Sequence, residues 1–434
     1  MLTKSILQGY KKTEIGIIPE DWNEFTINSL SKSFTKQTGF DYSAYIKPKL
    51  ITTFKSGTLP FIQNKDFKEK KINFDTDYYI PEDVANNFPR ILLDEKCLLI
   101  SISGSIGKIG IFSNFRKAFV GGAVAVVKFK DIDQLDWIMY YLLSNAGQNS
   151  LLNNVKAGSH QNLILADIRK IIVPITSEKE RKTIVGIISD IDELIQNIDK
   201  LISKKKDTQK GTMQDLLTGK RRLAGFTKPW NVMTFEDVSD KKIKWSITGG
   251  PFGSNLKIND YVSNGVRIIQ LQNIGDGKFK DDYKIFTSEK KADELLSANI
   301  YPNEIIISKM GDPVGRACFI PNKDRRYLMA SDGIRLAVDE SKFDKKFVLY
   351  YINSSYFRNR VIEASTGSTR QRIGLKDLKK IQFHAPSLAE QQIIGTILYD
   401  MKSEIKGLEK ERDKFIVLKN GVIEKLLTGE IRLK

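Results

Sequence analysis

The sequence predicts an α+β chain: two mixed α/β heads separated by two long helices, with the helices packed as an antiparallel coiled coil. Three observations lead there. The chain is written twice with a period near 210 residues, each copy opens with short β-rich runs punctuated by glycine, and each closes on a long helical stretch carrying apolar heptads.

The repeat is dense. Trp22-Asn23 returns as Trp230-Asn231, Ile62-Gln63 and Asp66 as Ile269-Gln270 and Asn273, and Ser101 with Gly104 as Ser308 with Gly311. Tyr140-Tyr141 returns as Tyr350-Tyr351, and Gln161, Leu165, Asp167 and Lys170 as Gln371, Leu375, Asp377 and Lys380. Both copies end on Leu-Leu-Thr-Gly, at Leu216 and Leu426, followed by Arg222-Leu223 and Arg432-Leu433. So long a period means a duplicated domain, because solenoid units run about 20–50 residues. Between matched positions the copies diverge freely, as in Lys156 to Asn162 against Ser365 to Arg372. A shared scaffold with divergent loops suits two heads of different binding preference.

The boundaries that follow are a first head at 1–175, a helical segment at 176–222, a second head at 223–385 and a second helical segment at 386–434. In the first head, β-rich runs at Leu98 to Ile102, Val124 to Phe129 and Ile171 to Ile175 alternate with turns at Gly104, Gly107 and Gly110. A helix is expected over Leu135 to Ser144. The second head repeats the order with Ile305 to Ser308, Ile334 to Val338 and a helix through Val348-Leu349-Tyr350-Tyr351. Trp137, Tyr140 and Tyr141 lie at helical spacing, which places them in the core rather than on a base-stacking platform.

From Ser177 the pattern changes. Ile184, Ile187, Ile191, Leu194, Ile198 and Leu201 alternate three and four apart, a seam for pairing with another long helix. The second copy gives a rougher seam of Ile394, Ile397, Met401, Ile405, Leu408, Phe415 and Leu418. Ser177 and Ser387 are the expected helix caps. Two such helices joined through a compact domain pack most simply antiparallel, and about 40 residues at 1.5 Å rise make a rod of about 60 Å. The run Lys204-Lys205-Lys206 reads as a solvated face.

Lys and Arg number 69 against 52 Asp and Glu, a formal charge of +17 that suggests a polyanionic partner. The two cysteines, Cys97 and Cys318, lie in apolar runs without Cys-X-X-Cys spacing, and His160 and His384 stand far apart. Neither a zinc site nor a disulfide framework is supported, and the composition is that of a reduced, cytoplasmic protein. Met1 to Tyr10 has no apolar core of signal-peptide length, and Val120 to Val127 falls far short of a membrane span, so no membrane association is expected. A phosphate-binding Gly-x-x-x-x-Gly-Lys-Ser/Thr loop is absent, as is any Asn-Pro-Pro-Tyr-like string for holding a flipped adenine. Asp66 with Glu69 and Lys71 is the nearest approach to a metal-dependent nuclease cluster. Asp66 aligns with Asn273 and nothing replaces Glu69, so it reads as a surface charge cluster.

The order of head, long helix, head, long helix resembles the specificity subunits of type I restriction–modification systems. Gly16-Ile17-Ile18-Pro19-Glu20-Asp21-Trp22 is similar to that family's approach to its first target-recognition domain. The loops Gly158-Ser159-His160-Gln161 and Gly367 to Gln371 precede Leu165-Ala166-Asp167-Ile168 and Leu375-Lys376-Asp377-Leu378, another familiar arrangement. Pro386-Ser387-Leu388-Ala389-Glu390-Gln391 fits the start of the second helix, and the Leu-Leu-Thr-Gly strings complete the match. The first copy departs from it between Pro174 and Arg181, with extra residues and no Glu-Gln pair. The resemblance implies that each head binds one half of a bipartite, asymmetric double-stranded DNA site, with the helices as a ruler between them. It implies no enzymatic activity and no cofactor in this chain. Two modification subunits would bring S-adenosylmethionine for adenine methylation, and restriction subunits would bring ATP- and Mg²⁺-dependent cleavage. The alternative is a stand-alone architectural DNA-binding protein with a coiled-coil spacer.

Base edges are read by Gln, Asn, Arg and Lys, and phosphates by Lys, Arg, Ser and backbone amides. Loops of that kind supply the candidate DNA contacts. In the first head they are Gln63, Asn64, Lys65, Ser103, Lys108, Ser159, His160, Gln161 and Asn162. In the second they are Gln270, Gln272, Asn273, Lys309, Arg316, Thr369, Arg370, Gln371 and Arg372. The matched Gln161 and Gln371 have a second reading as braces of their loops.

Overall fold

The computed structural model describes residues 8–68, 70–113, 116–153, 162–367 and 370–433. The chain divides into two compact units, one of Met1–Ile198 with Glu411–Lys434 and the other of Asp199–Lys410. Each therefore holds one head together with part of both long helices.

The two heads share one strand plan. In the first, Ser31–Lys36, Val124–Phe129, Cys97–Ser101 and Ile109–Phe112 lie side by side in that order, all antiparallel. In the second the order is Ile247–Gly249, Gly333–Leu336, Ile305–Ser308 and Ala317–Phe319, again antiparallel. The registers correspond: Leu98 sits opposite Val127 as Ile305 sits opposite Leu336. A second sheet in each head contains one parallel pair, Thr58–Ile62 with Ala118–Val120 and Val266–Ile269 with Tyr327–Met329. These central strands are buried along their whole length, which is why they read as continuous apolar runs rather than alternating ones.

The core of the first head is closed by the helix Leu135–Leu143, whose Trp137, Tyr140 and Tyr141 are buried as expected. Trp137 meets Trp22 edge to face at 5.6 Å, and its indole N–H donates to the Pro174 carbonyl at 2.7 Å. These contacts fasten the strand pair Asn23–Thr26 and Ile172–Ile175 to the helix. Helix Lys345–Asn353 takes the same place in the second head, where Tyr351 packs on Phe383 at 4.4 Å.

The long helices are Glu178–Leu217 and Leu388–Leu427. Ser177 caps the first, its hydroxyl accepting from the Glu180 N–H at 3.3 Å. The buried face of the first corrects the expected seam by one residue at alternate positions. Ile184, Ile198, Ile394 and Ile405 are buried, and Ile191, Met401, Leu408 and Phe415 half-buried, as expected. Ile187 is 37% exposed and Leu194 and Leu201 40%, whereas Ile188 and Ile202 are buried and Ile195 half-buried. In the second helix Ile397 is half-buried against the core, as expected, beside the fully buried Leu398, and Leu418 is exposed. The sequence carries doublets at these points (Ile187-Ile188, Leu194-Ile195, Leu201-Ile202), so either neighbour satisfies a heptad. Packing chooses: Ile184 and Ile188 join the core that also contains Ile423, Leu426 and Leu427.

Within each unit the two helices are tied by ions. Lys419 reaches Asp192 at 3.1 Å in the first unit, and Lys205 reaches Glu404 at 2.8 Å and Lys206 Glu409 at 2.7 Å in the second. The run Lys204-Lys205-Lys206 remains a solvated face, as expected, with Lys205 and Lys206 also paired to the other helix. Asp192 also accepts from Lys70 at 2.5 Å and from the Tyr140 hydroxyl at 2.8 Å. Burial by itself would raise its pKa, but those donors hold the carboxyl below its ordinary value.

The end of each long helix seats on the head of the other copy. In the first unit, Gly429 ends the second helix in the left-handed region at φ +73° and lies against Pro19 and Trp22, where a side chain would collide. Arg432 then forms a fork on Glu180 at 2.7 and 2.8 Å and on Asp21 at 2.8 Å, and the Tyr10 hydroxyl donates to the Gly429 carbonyl at 2.9 Å. In the second unit Gly219 lies against Trp230, and Arg222 forks onto Glu390 at 2.8 Å. The first copy has no Glu-Gln pair, as read from the sequence, yet its Glu180 stands and acts where Glu390 does, with Arg181 in place of Gln391. Burial disfavours the Glu180 charge, yet Arg432, Thr176 and the Leu433 N–H outweigh it and bring the pKa down to about 2.

Candidate nucleic-acid interface

The candidate residues lie on the loops that leave these strands. In the first head, strand Thr58–Ile62 runs into a tight turn whose free N–H groups need an acceptor. The Gln63 N–H donates to Asp66 at 2.7 Å, and in the second head the Gln270 N–H donates to the Asn273 side chain at 2.9 Å. Asp and Asn interchange here because either offers the same oxygen. Asn273 is fully buried, and its NH₂ donates to the carbonyls of Lys280 and Tyr283 at 3.0 and 2.9 Å. It is a structural amide, which corrects its expected place on the DNA-facing surface. Asp66 is likewise buried, so the expected surface charge cluster is also corrected; burial pushes its carboxyl pKa up. Glu69 lies outside the described residues. Among the described residues no group of three or more His, Cys, Asp or Glu is placed to hold a metal. Cys97 and Cys318 are buried free thiols, their pKa pushed up to about 12 by burial.

Around this scaffold the first head brings three remote segments together. The Asn64 side chain donates to the Ser103 carbonyl at 2.8 Å, and Ser103 bridges Asn162 across the chain. Lys65 is exposed and paired with Asp77, and Lys108 is exposed at the end of the turn, its N–H bound to the Ser101 hydroxyl at 2.9 Å. Ser159, His160 and Gln161 lie outside the described residues.

The second head gathers its segments more closely. Lys309 is bracketed by main-chain bonds, its N–H donating to Asp332 at 2.7 Å and its carbonyl accepting from Ile373 at 2.9 Å. Arg372 bridges both Met310 and Thr366 through its backbone, and its guanidinium pairs with Asp332 at 2.9 Å. Burial and the neighbouring Arg372 charge lower the Lys309 pKa. Arg316 bends back onto the Asp312 carbonyl at 3.0 Å within its own loop. Gln371 is half-buried beside Arg372, and Thr369 lies outside the described residues. Arg370, Gln270 and Gln272 line one concavity of about 370 Å³ together with Met310, Ser331, Tyr261 and Phe252. Sequence reading missed the loop Pro251 to Gly253. Its signal was present: a glycine-rich run, Gly249-Gly250-Pro251-Phe252-Gly253, with an aromatic at its centre directly after a strand.

Amides and guanidinium groups converging on an open hollow, above a scaffold used twice with different loop residues, suit recognition of a polyanion that carries hydrogen-bonding edges. Comparison with known proteins agrees. The profile of the family described as "Type I restriction modification DNA specificity domain" matches residues 19–205 and again 228–415. The chain is 23% identical to the type I restriction enzyme MjaVIII specificity subunit of Methanocaldococcus jannaschii, over 99% of this chain and 98% of that one. It is 20% identical to the StySPI specificity subunit of Salmonella potsdam, over 96% and 90%. In fold it resembles the S subunit of a type I restriction–modification system from M. genitalium, with a TM-score of 0.53 at 16% identity over 93% and 96% of the two chains. A chain from a structural study of complex assembly and conformational transition in the type I R-M system gives 0.57 at 14% identity, over 95% and 99%. The duplicated heads and the duplicated profile match together place this chain in the type I restriction–modification specificity family, as a subunit that recognises DNA and is not itself an enzyme.

Proposed function

We propose that the heads at 1–175 and 223–385 each read one half of a bipartite, asymmetric duplex DNA site. The helical segments at 176–222 and 386–434 pack as an antiparallel coiled coil that fixes the gap between the halves. The observation that carries this reading is the shared strand plan with unlike loops, Gln63-Asn64-Lys65 on one copy and Gln270-Leu271-Gln272 on the other. One scaffold thereby presents two different sets of donors and acceptors. The coiled coil is supported by inward positions that alternate four and three apart, Ile184, Ile188, Ile191, Ile195, Ile198 and Ile202.

Base or phosphate contact is assigned to Asn64, Lys65, Ser103, Lys108, Asn162, Gln270, Gln272, Lys309, Arg370 and Arg372. Two modification subunits, using S-adenosylmethionine to methylate adenine, dock along the helices, and restriction subunits needing ATP and Mg²⁺ join through them. The outward stripe Ile187, Leu194 and Leu201, one heptad apart on a single helix face, supports a helical partner there. Such a complex works on chromosomal DNA in the cytoplasm; among the described residues no helix is long and apolar enough to cross a membrane. The test is to express the chain with its modification subunit in a host free of adenine methylation and map the methylated adenines. A single split, asymmetric motif is expected. Specific binding by the chain alone, with no dependence on a modification subunit, would favour a stand-alone architectural protein instead.

A further inference from the structure

Phe252 is 83% exposed and Phe40 is 72% exposed. Phe252 sits in the loop that leaves the edge strand Ile247–Gly249 of the second head, whereas Phe40, after the edge strand Ser31–Lys36 of the first, lies in the short helix Gly39–Asp41 with its ring edge-on to Tyr45 at 5.9 Å. The loop in the second head is held firmly. The Gly250 N–H donates to the Gly333 carbonyl at 2.9 Å, and any Cβ on Gly250 would collide with the Ala330 carbonyl. The turn closes where the Asn255 N–H donates to the Phe252 carbonyl at 2.9 Å. Phe252 lines the concavity that also holds Gln270, Gln272 and Arg370. A large exposed ring beside amides and a guanidinium suits a ligand with flat apolar faces and polar edges. Stacked base pairs have that chemistry.

We propose that Phe252 is a wedge, its ring entering the base stack of the half-site read by the second head while Gln270, Gln272 and Arg370 hold the flanking edges and backbone. This rests on the assignment of the concavity to DNA. A wedge opens one base step and kinks the duplex, so it selects steps that unstack cheaply, above all pyrimidine–purine steps, without a hydrogen bond to either pair.

The test uses the full chain in complex with its modification subunit and a duplex carrying the mapped site. 2-Aminopurine is placed in turn at each position of the second half-site except the methylated adenine, whose extrusion would give its own signal. Binding should raise the fluorescence at one step. Phe252→Ala should abolish that rise and weaken binding about tenfold, through the loss of one base–aromatic stacking contact; Phe252→Trp should keep both. Phe40→Ala, in the other head, should leave this signal intact. If Phe252→Ala changes neither fluorescence nor affinity while Arg370→Ala weakens binding, the wedge is wrong and the concavity still faces DNA. If neither substitution affects a complex that still binds its site, the concavity does not face DNA and both readings fall.

Discussion

A chain cut after Leu223 should form a symmetric dimer. The first head seats Ile423, Leu426 and Leu427 against Ile184, Ile188 and Trp22, and its Glu180 and Asp21 hold Arg432. Truncation removes all of these tail residues and leaves the seat open. The first copy carries near-equivalents of its own at Met213, Leu216, Leu217 and Arg222, which in the whole chain serve the second head. Burying each such aliphatic side chain is worth about 1.5–3 kcal/mol, so three contribute about 5–9 kcal/mol per seat. A two-fold pair fills two seats, about 10–18 kcal/mol gross, against an association cost of about 4–15 kcal/mol. At the middle of both ranges about 4–5 kcal/mol remains, a weak dimer with a dissociation constant of about 500 μM. One contact worsens: Asp192 now meets Lys419 at 3.1 Å, and Gln209 would stand there instead. Lys70 and Tyr140 still satisfy that carboxylate, so dimerisation should survive the exchange. Sedimentation velocity up to the millimolar range tests the association. Methylation mapping with the modification subunit then tests its consequence, because two identical heads demand an inverted repeat in the DNA. A fragment that stays monomeric at about 1 mM, or that directs methylation to an asymmetric motif, refutes the reasoning.

Three further outcomes are expected. Arg370→Ala should weaken only the second half-site, by about 1–3 kcal/mol if it reads a guanine edge and less if it touches phosphate; Arg372→Ala should do less, because its charge is already shared with Asp332. Scrambling each half-site in turn during binding assays separates these cases, and equal loss on both halves would mean misfolding instead. The seat of Arg432 should loosen in acid: Glu180 titrates near 2 in the fold against an ordinary 4.5, so its stabilisation is complete above about 4.5 and lost as pH falls towards 2. Protection of residues 411–433 against hydrogen exchange, relative to the intrinsic rate at each pH, should fall across that window in the native chain, and in Glu180→Gln should be low already at pH 7 and change little on acidification. Leu194→Glu should release the modification subunit while changing the thermal melt of the chain only slightly, since Leu194 is 40% exposed and lies outside the buried face; pull-down with undiminished recovery would remove the stripe from the docking surface.

The local half of this protein was written in its sequence. Val124–Phe129 and Ile305–Ser308 are strands because unbroken apolar runs of that length, bounded by turns, bury both faces. The two 40-residue helices follow from sustained heptads behind a serine cap, and the duplication is visible by eye. Candidate loops were also legible, because Asn64, Ser103 and Asn162 have the right chemistry even though only the fold brings them together. What repetition could not reveal was the reason for each match. Asp66 and Asn273 recur because a turn needs a buried acceptor, so the likeness between copies marked scaffold and not contact. Likewise, an Ile187-Ile188 doublet satisfies a heptad either way, and a rotation of one residue, about 100°, is decided only by what the helix packs against. The largest decision lay beyond any local pattern. The Leu-Leu-Thr-Gly ends look identical in sequence, yet each seats on the head of the other copy, joining residues as distant as Tyr10 and Gly429. Sequence sets which surfaces need cover; because both copies offer the same cover, only chain connectivity and three-dimensional packing determine which one supplies it.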